Sequence, residues 1–200
     1  MTILYGASGH GKVIFEILEA NGMTPDAVWD DAPKPDFWNF PVGKPQFFHT
    51  KEEYKTIISI GNNAIRKKIA ERIKDQSLFI SAVHPSAILS ARSIIGIGTA
   101  VMAGVVVNAD CKMGAHGILN TNCTVEHDCV LGDYVHISPD ATLCGNVTVG
   151  DLTHIGAGVT VIPGITIGKN CIIGAGAVVI RDVPDNSMVV GNPGKIIKTI

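Results

Sequence analysis

Counted in sixes, the second part of the chain places a large aliphatic residue at every step. The series runs from Val83, Leu89 and Ile95 through Ile167, Ile173 and Val179, seventeen positions without an exception. Two residues before each anchor stands a small or β-branched residue, as at Thr99, Val105, Cys111, Cys123, Val135, Ala141 and Ala177. Glycine follows the anchor at Gly96, Gly114, Gly132, Gly150, Gly156, Gly168 and Gly174. A period of six fits neither an amphipathic helix nor simple strand alternation. It fits a short strand, a corner and another short strand. Three such units close a triangular coil of eighteen residues, and successive coils stack as parallel strands around one interior. The repeat predicts five to six coils over residues 81–184, with 185–200 as a tail.

The period also accounts for most of the cysteines. Cys111, Cys123, Cys129 and Cys171 fall in the small interior register, and Cys144 lies outside it. All five are expected to be reduced and inert.

Residues 1–80 do not follow the period. Thr2–Tyr5 reads as a buried strand and Gly6-Ala7-Ser8-Gly9-His10-Gly11 as a glycine-rich turn. Val13, Ile14, Ile17 and Leu18 space like one helix face ending near Gly22. Ala27–Trp29 is a second strand, followed by Asp30-Asp31. Residues 32–50, with Pro33, Pro35, Pro41 and Pro45, read as loop. Thr56–Ile60 is a further strand, then Gly61-Asn62-Asn63 and a helix to about Lys74. The layout is that of an α/β half-Rossmann domain.

The glycine turn suits an anion because backbone N–H groups and a helix N-terminus can face it. The alternative is a packing turn. Asp30 and Asp31 sit at a strand's carboxyl end, where ribose or base contacts fall; otherwise they are solvated turn carboxylates. Gly61-Asn62-Asn63 would line the same crevice, or serve as a helix cap.

In the coils, residues eighteen apart lie one strand spacing apart, about 4.8 Å. His136 and His154 therefore stack, and His127 lies against Gly145. Asp110, Asp128 and Asn146 form a further column. A histidine between acids, Glu126-His127-Asp128, is a candidate general base, because a neighbouring carboxylate fixes the tautomer of an imidazole. The Gly145 N–H would support a carbonyl oxygen as it becomes negative. The competing reading is a surface histidine with an acidic partner. Stacked histidines also admit a zinc site with His116 or His127, but no metal-ligand spacing accompanies them. His49, His84 and His116 read as structural.

The segments Tyr5–Gly11, Asp30-Asp31, Ile60–Lys68, Asn120-Thr121, Val125–Cys129, Gly145-Asn146-Val147 and Val190–Lys195 together resemble the PglD-type sugar acetyltransferases, whose relatives include sialic acid O-acetyltransferases and perosamine N-acetyltransferases. The resemblance implies a left-handed parallel β-helix of hexapeptide repeats behind the half-Rossmann domain. It implies acetyl-CoA as co-substrate, no metal, and a homotrimer with its sites between subunits. His127 would be the base, and Asp128 would polarise it where a family member carries Glu. The Gly145 amide would hold the thioester carbonyl. His136, Gly145, Ala157, Ala175 and Lys195 would contact acetyl-CoA. Gly9, His10, Gly11, Asp30, Asp31, Gly61, Asn62 and Asn120 would hold a UDP-linked 4-amino-4,6-dideoxy sugar. GDP- or dTDP-linked sugars and O-acetylation are the rival reactions. A zinc lyase of the gamma carbonic anhydrase type and a non-catalytic barrel are rivals of other classes.

Sixteen basic and eighteen acidic residues give a formal net charge of −2, with no basic run, so no nucleic-acid partner is expected. Apolar stretches are a few residues long, so no membrane span is expected. The start lacks a basic, cleavable leader, and a cytoplasmic location is the expectation.

Overall fold

The structure is a computed structural model that describes residues 1–34, 37–47 and 50–200. Pro35 and His49 lie outside the described residues. The front domain is a parallel five-stranded sheet in the order β3-β2-β1-β4-β5. Its elements are β1 (Thr2–Tyr5), α1 (Gly9–Ala20), β2 (Ala27–Trp29), β3 (Val42–Gly43), β4 (Lys55–Ile58), α2 (Asn63–Ile73) and β5 (Leu78–Phe79). Ile3, Leu4 and Tyr5 are all buried, as a central strand covered on both faces requires.

Helix α1 begins at Gly9, so the last glycines of the expected turn form its first turn. Its buried residues are Gly11, Ile14, Phe15, Ile17 and Leu18, whereas Val13 is exposed. The expected face was therefore wrong at Val13. Phe37 and Phe40 pack on Phe15 at ring distances of 5.9 and 5.0 Å and cover that side of the helix. The proline-rich stretch accordingly holds more than loop: it carries β3 and a Phe37–Phe40 bridge.

Behind this domain, seventeen two-residue strands run from Ala82–Val83 to Val178–Val179, and every anchor is the second residue of its strand. Strands pair in parallel with a shift of eighteen, as Val106 with Thr124 and Thr124 with Thr142. This makes three faces. The docked face presents Ala82, Ala100, Ile118 and His136 towards the front domain and buries all four. The open face presents Ile88, Val106, Thr124, Thr142, Thr160 and Val178, and the third face Ile94, Lys112, Val130, Thr148 and Thr166. Anchors and small residues fill one continuous core, including Cys111, Cys123, Cys129 and Cys171. All five cysteines are free.

The corners obey a second rule. From position 98 to position 176, every sixth residue has φ between 52° and 75°. Glycine, asparagine or aspartate meets this demand at most of these corners, as expected for the left-handed region. The exceptions are His116, Tyr134 and Leu152, and all three fall in one column between the third and docked faces. Helix α2 lies on that column. Arg66 Nε donates to His116 O (2.8 Å) and Nη2 to Tyr134 O (2.9 Å). The Asn63 amide donates to Leu152 O (2.9 Å). The His116 and Tyr134 rings stack at 5.2 Å, and Phe79 meets His116 edge-on at 4.5 Å. Three bulky corners thus form the bed on which α2 is fastened. The final residues form two antiparallel strands, Ser187–Val190 and Lys195–Thr199, that finish the docked-face sheet.

Candidate active site

His127 and Asp128 occupy the corner between the open and third faces. His127 Nδ1 lies 2.8 Å from Asp128 Oδ2, and both side chains are largely exposed. A carboxylate accepts, so Nδ1 carries the proton and Nε2 presents its lone pair. Asp128 is also one of the left-handed corner residues (φ 62°), which fixes its side chain beside the imidazole. One coil along, a Cβ on Gly145 would stand 2.6 Å from His127 Cε1 and 2.7 Å from Nε2. Only glycine leaves room for the ring there. Among the described residues no protein group accepts from the Gly145 N–H, whereas side chains cap the equivalent amides of Ala115, Asp133 and Lys169. The His127 ring and the open Gly145 amide therefore sit on one edge of the barrel, as the eighteen-residue stacking requires.

The other named residues lie elsewhere. Asn120, Ala157 and Ala175 occupy the corner between the docked and open faces; Gly176 N–H donates to Ala157 O (2.8 Å) and stacks these coils. His136 faces the front domain and is 8% exposed. Its Nδ1 lies 3.3 Å from Gly61 O and its Nε2 3.2 Å from Asn120 Nδ2. The His136 and His154 rings stack at 4.6 Å, 3° from parallel, and His154 Nε2 meets Ser138 Oγ at 2.8 Å. Burial, then His154, Arg66 and His10, push His136 down to about 3. Lys195 opens the last strand and lines a cavity of about 270 Å³ with Arg181, Asp182 and Gly194.

In the front domain, Gly11 is required because a Cβ there would collide with the Gly6 carbonyl. His10 points towards His136, ring to ring at 6.4 Å, and its Nε2 is buried without a hydrogen-bond partner. Burial and then the Arg66 charge lower it to about 4. The acid pair divides its duties. Asp30 accepts from Ala7 N–H and Ala32 N–H, both at 2.9 Å, and so braces the glycine turn. Asp31 pairs with Arg72 (2.8 Å) and accepts from the Tyr5 hydroxyl (2.8 Å). Burial alone would raise the Asp31 carboxyl, but the Arg72 and Tyr5 bonds outweigh it and hold it below the usual range. Asn62 caps α2, its Oδ1 accepting from Ile65 N–H at 3.0 Å. Gly61 offers its carbonyl to the crevice between the domains. No group of three or more His, Cys, Asp or Glu side chains that could hold a metal occurs among the described residues. No helix there is long and apolar enough to cross a membrane.

Sequence reasoning missed Arg66 and Arg72, and it gave Asn63 a place in the crevice without its bond to the barrel. For the docking of Arg66 and Asn63 a signal existed: His116, Tyr134 and Leu152 break the Gly/Asn/Asp corner rule in one column, which marks that column as covered.

A nucleotide-type α/β domain docked on hexapeptide coils, with a His–Asp pair facing an open glycine amide, defines the hexapeptide acyltransferase class. Residues 2–73 match the PglD N-terminal domain, and residues 128–162 and 146–181 match the bacterial transferase hexapeptide (six repeats). The UDP-N-acetylbacillosamine N-acetyltransferase of Bacillus subtilis (strain 168) is 43% identical over 114 residues, half of this chain and half of that protein's length. A histidine variant of perosamine N-acetyltransferase from Caulobacter crescentus, in complex with CoA and GDP-perosamine, is 37% identical with a TM-score of 0.93, over 98% of this chain and 96% of that one. The acetyltransferase domain of PglB from Neisseria gonorrhoeae FA1090, in complex with acetyl coenzyme A, is 36% identical with a TM-score of 0.91, over 98% of each chain. The chain belongs to the PglD-type sugar N-acetyltransferases.

Proposed function

We propose that this protein transfers the acetyl group of acetyl-CoA to the 4-amino group of a UDP-linked 4-amino-4,6-dideoxy-N-acetylhexosamine. The observation that carries the reading is the His127–Asp128 pair held against the unpartnered Gly145 amide. The amine attacks the thioester carbonyl carbon and a C–N bond forms. His127 Nε2 takes the amine's proton, since an ammonium cannot attack. The oxygen that becomes negative lies near the Gly145 N–H. Collapse breaks the C–S bond, and the thiolate leaves with a proton returned to it. Transfer is direct, without an acyl-enzyme.

The open face supports a homotrimer. His127 and Gly145 stand on one of its edges, and Asn120, Ala157 and Ala175 on the other. The face between them presents Thr124, Thr142, Val106 and an Ile88 that is 67% exposed. Turned inward about a three-fold axis, this face sets the base-bearing edge of one chain beside the sugar-bearing edge of the next. The thioester then lies in the groove between two barrels.

The 43% identical Bacillus relative supports UDP, and the Caulobacter likeness supports GDP as the second reading. The deciding assay is thiol release from acetyl-CoA with UDP- and GDP-linked amino sugars, comparing wild type with His127→Ala. Release that needs the UDP-sugar and collapses in the variant is the expected result. Equal release by both proteins removes His127 as the base. Release with the GDP-sugar alone moves the substrate.

A further inference from the structure

Arg66 is 1% exposed, and its five N–H groups are all used without a carboxylate. Nε meets His116 O, and Nη2 meets Tyr134 O and Asn63 Oδ1 at 2.9 and 2.8 Å. Nη1 meets Ile60 O at 2.9 Å and Gly61 O at 3.2 Å. Its burial lowers its own pKa to about 10, so it stays a cation at neutral pH. A buried guanidinium satisfied only by neutral acceptors is costly, and helix-to-barrel attachment alone could be made by apolar packing. The carbonyl of Gly61 gives it a second purpose, because that oxygen is shared with His136 Nδ1.

A carbonyl oxygen only accepts, so His136 Nδ1 must carry a proton. Nε2 faces the amide nitrogen of Asn120, which donates, so Nε2 must be bare. The Asn120 Oδ1 is then left to accept from Thr121 N–H at 2.9 Å. A second proton on His136 would set two donors against each other and cost Thr121 its acceptor if Asn120 turned over. We propose that Arg66 is a positioning residue: by fixing the Gly61 carbonyl against His136 it keeps that ring's proton on Nδ1, and the bare Nε2 sets which way Asn120 faces the sugar crevice. Arg66 touches neither substrate. Burial, with Arg66 on α2, His10 on α1 and His154 in the next coil, opposes a second proton and outweighs the Gly61 carbonyl, which favours one. The assignment goes beyond the proposed acetyl transfer and rests on it only for the kinetic consequence.

The test is long-range ¹H–¹⁵N spectroscopy of the histidine side chains in wild type, Arg66→Gln, Arg66→Lys and Asn63→Ala, with His136→Gln used to assign the signal. Thermal unfolding checks that each variant folds. In wild type, His136 is expected as a single Nδ1–H tautomer from pH 8 to pH 5. Arg66→Gln should give mixed tautomers, and Arg66→Lys, a point charge without the guanidinium fork, a partial mixture. Asn63→Ala, which loosens the same helix without freeing Gly61, should keep the single tautomer. In turnover, Arg66→Gln should lower acceptor-dependent kcat about tenfold while KM for acetyl-CoA stays within twofold. An Nε2–H tautomer in wild type, or an unchanged His136 in folded Arg66→Gln or Arg66→Lys, overturns the assignment. Loss of folding in both makes Arg66 a fold residue and overturns it too. Should wild type transfer no acetyl group, the tautomer result still decides about Arg66, and only the proposed reaction falls.

Discussion

In the barrel a residue's neighbours are found by adding eighteen, whereas in the front domain they are scattered along the chain. Ile3 pairs with Ala27 on one side and Thr56 on the other; Thr142 pairs with Thr124 and Thr160. The free edge of the barrel and the junction of the two domains also treat their histidines differently. His127 stands out in solvent with a carboxylate. His10, His116, His136 and His154 cluster at the junction of the domains, and burial lowers all four. The lesson is that a regular scaffold exposes its chemistry at an edge, while an irregular docking surface buries titratable groups and must keep them neutral.

The largest effect that sharpens this contrast is loss of the exposed histidine proposed as the base. His127→Ala should reduce turnover by about 10²–10⁴-fold and leave the thermal midpoint within a degree or two, measured by thiol release and calorimetry. A large drop in the midpoint would show that the edge is structural after all. Gly145→Ala comes next. Its methyl would push the His127 ring aside, since a Cβ there stands 2.6 Å from Cε1 and 2.7 Å from Nε2, so turnover should fall about 10²-fold at preserved stability. In the interior the balance inverts: Leu143→Ala should cost about 2–5 kcal/mol in urea unfolding, since Leu143 is wholly buried in the barrel core.

Acid should separate the regions. The unfolded chain protonates its histidines near pH 6.5, whereas folded His10 and His116 resist to about 4 and His136 to about 3. The unfolded state thus binds more protons below pH 6.5, and stability falls as pH drops through that value. Each such ring contributes up to about 2 kcal/mol of loss by pH 5. Hydrogen exchange at pH 5 should accelerate first along α2 and the docked face. Uniform acceleration through the coils would break the comparison. The smallest effect is Cys144→Ala, which should leave turnover within about twofold; a dead variant would revive a covalent route.

The same contrast decides how far the sequence could be read. The hexad period carried the coils, the interior cysteines, the His136–His154 stack and the seat of His127 on Gly145, because stacking is arithmetic within one chain. Nothing comparable governs the docking of α2. Arg66 and Asn63 bind backbone carbonyls, and every residue has a carbonyl, so the one mark left in the sequence is the bulky corner column of His116, Tyr134 and Leu152. Asp31 reads as a free ligand until Arg72 is seen folded against it. Val13 was misassigned because the cover over α1 comes from Phe37 and Phe40 in a stretch whose prolines suggest loop.

The open face has a consequence for genetics. In the proposed trimer, a chain with its proposed base on one edge of that face and its proposed sugar-side residues on the other lends each half to a different neighbour. Two defective alleles, one altered at His127 and one at Asn120, would then assemble into mixed rings in which some grooves receive both intact halves. Co-expression should return part of the activity that neither allele supports by itself, and a surplus of either defective chain should poison its wild-type companions in proportion to its dose.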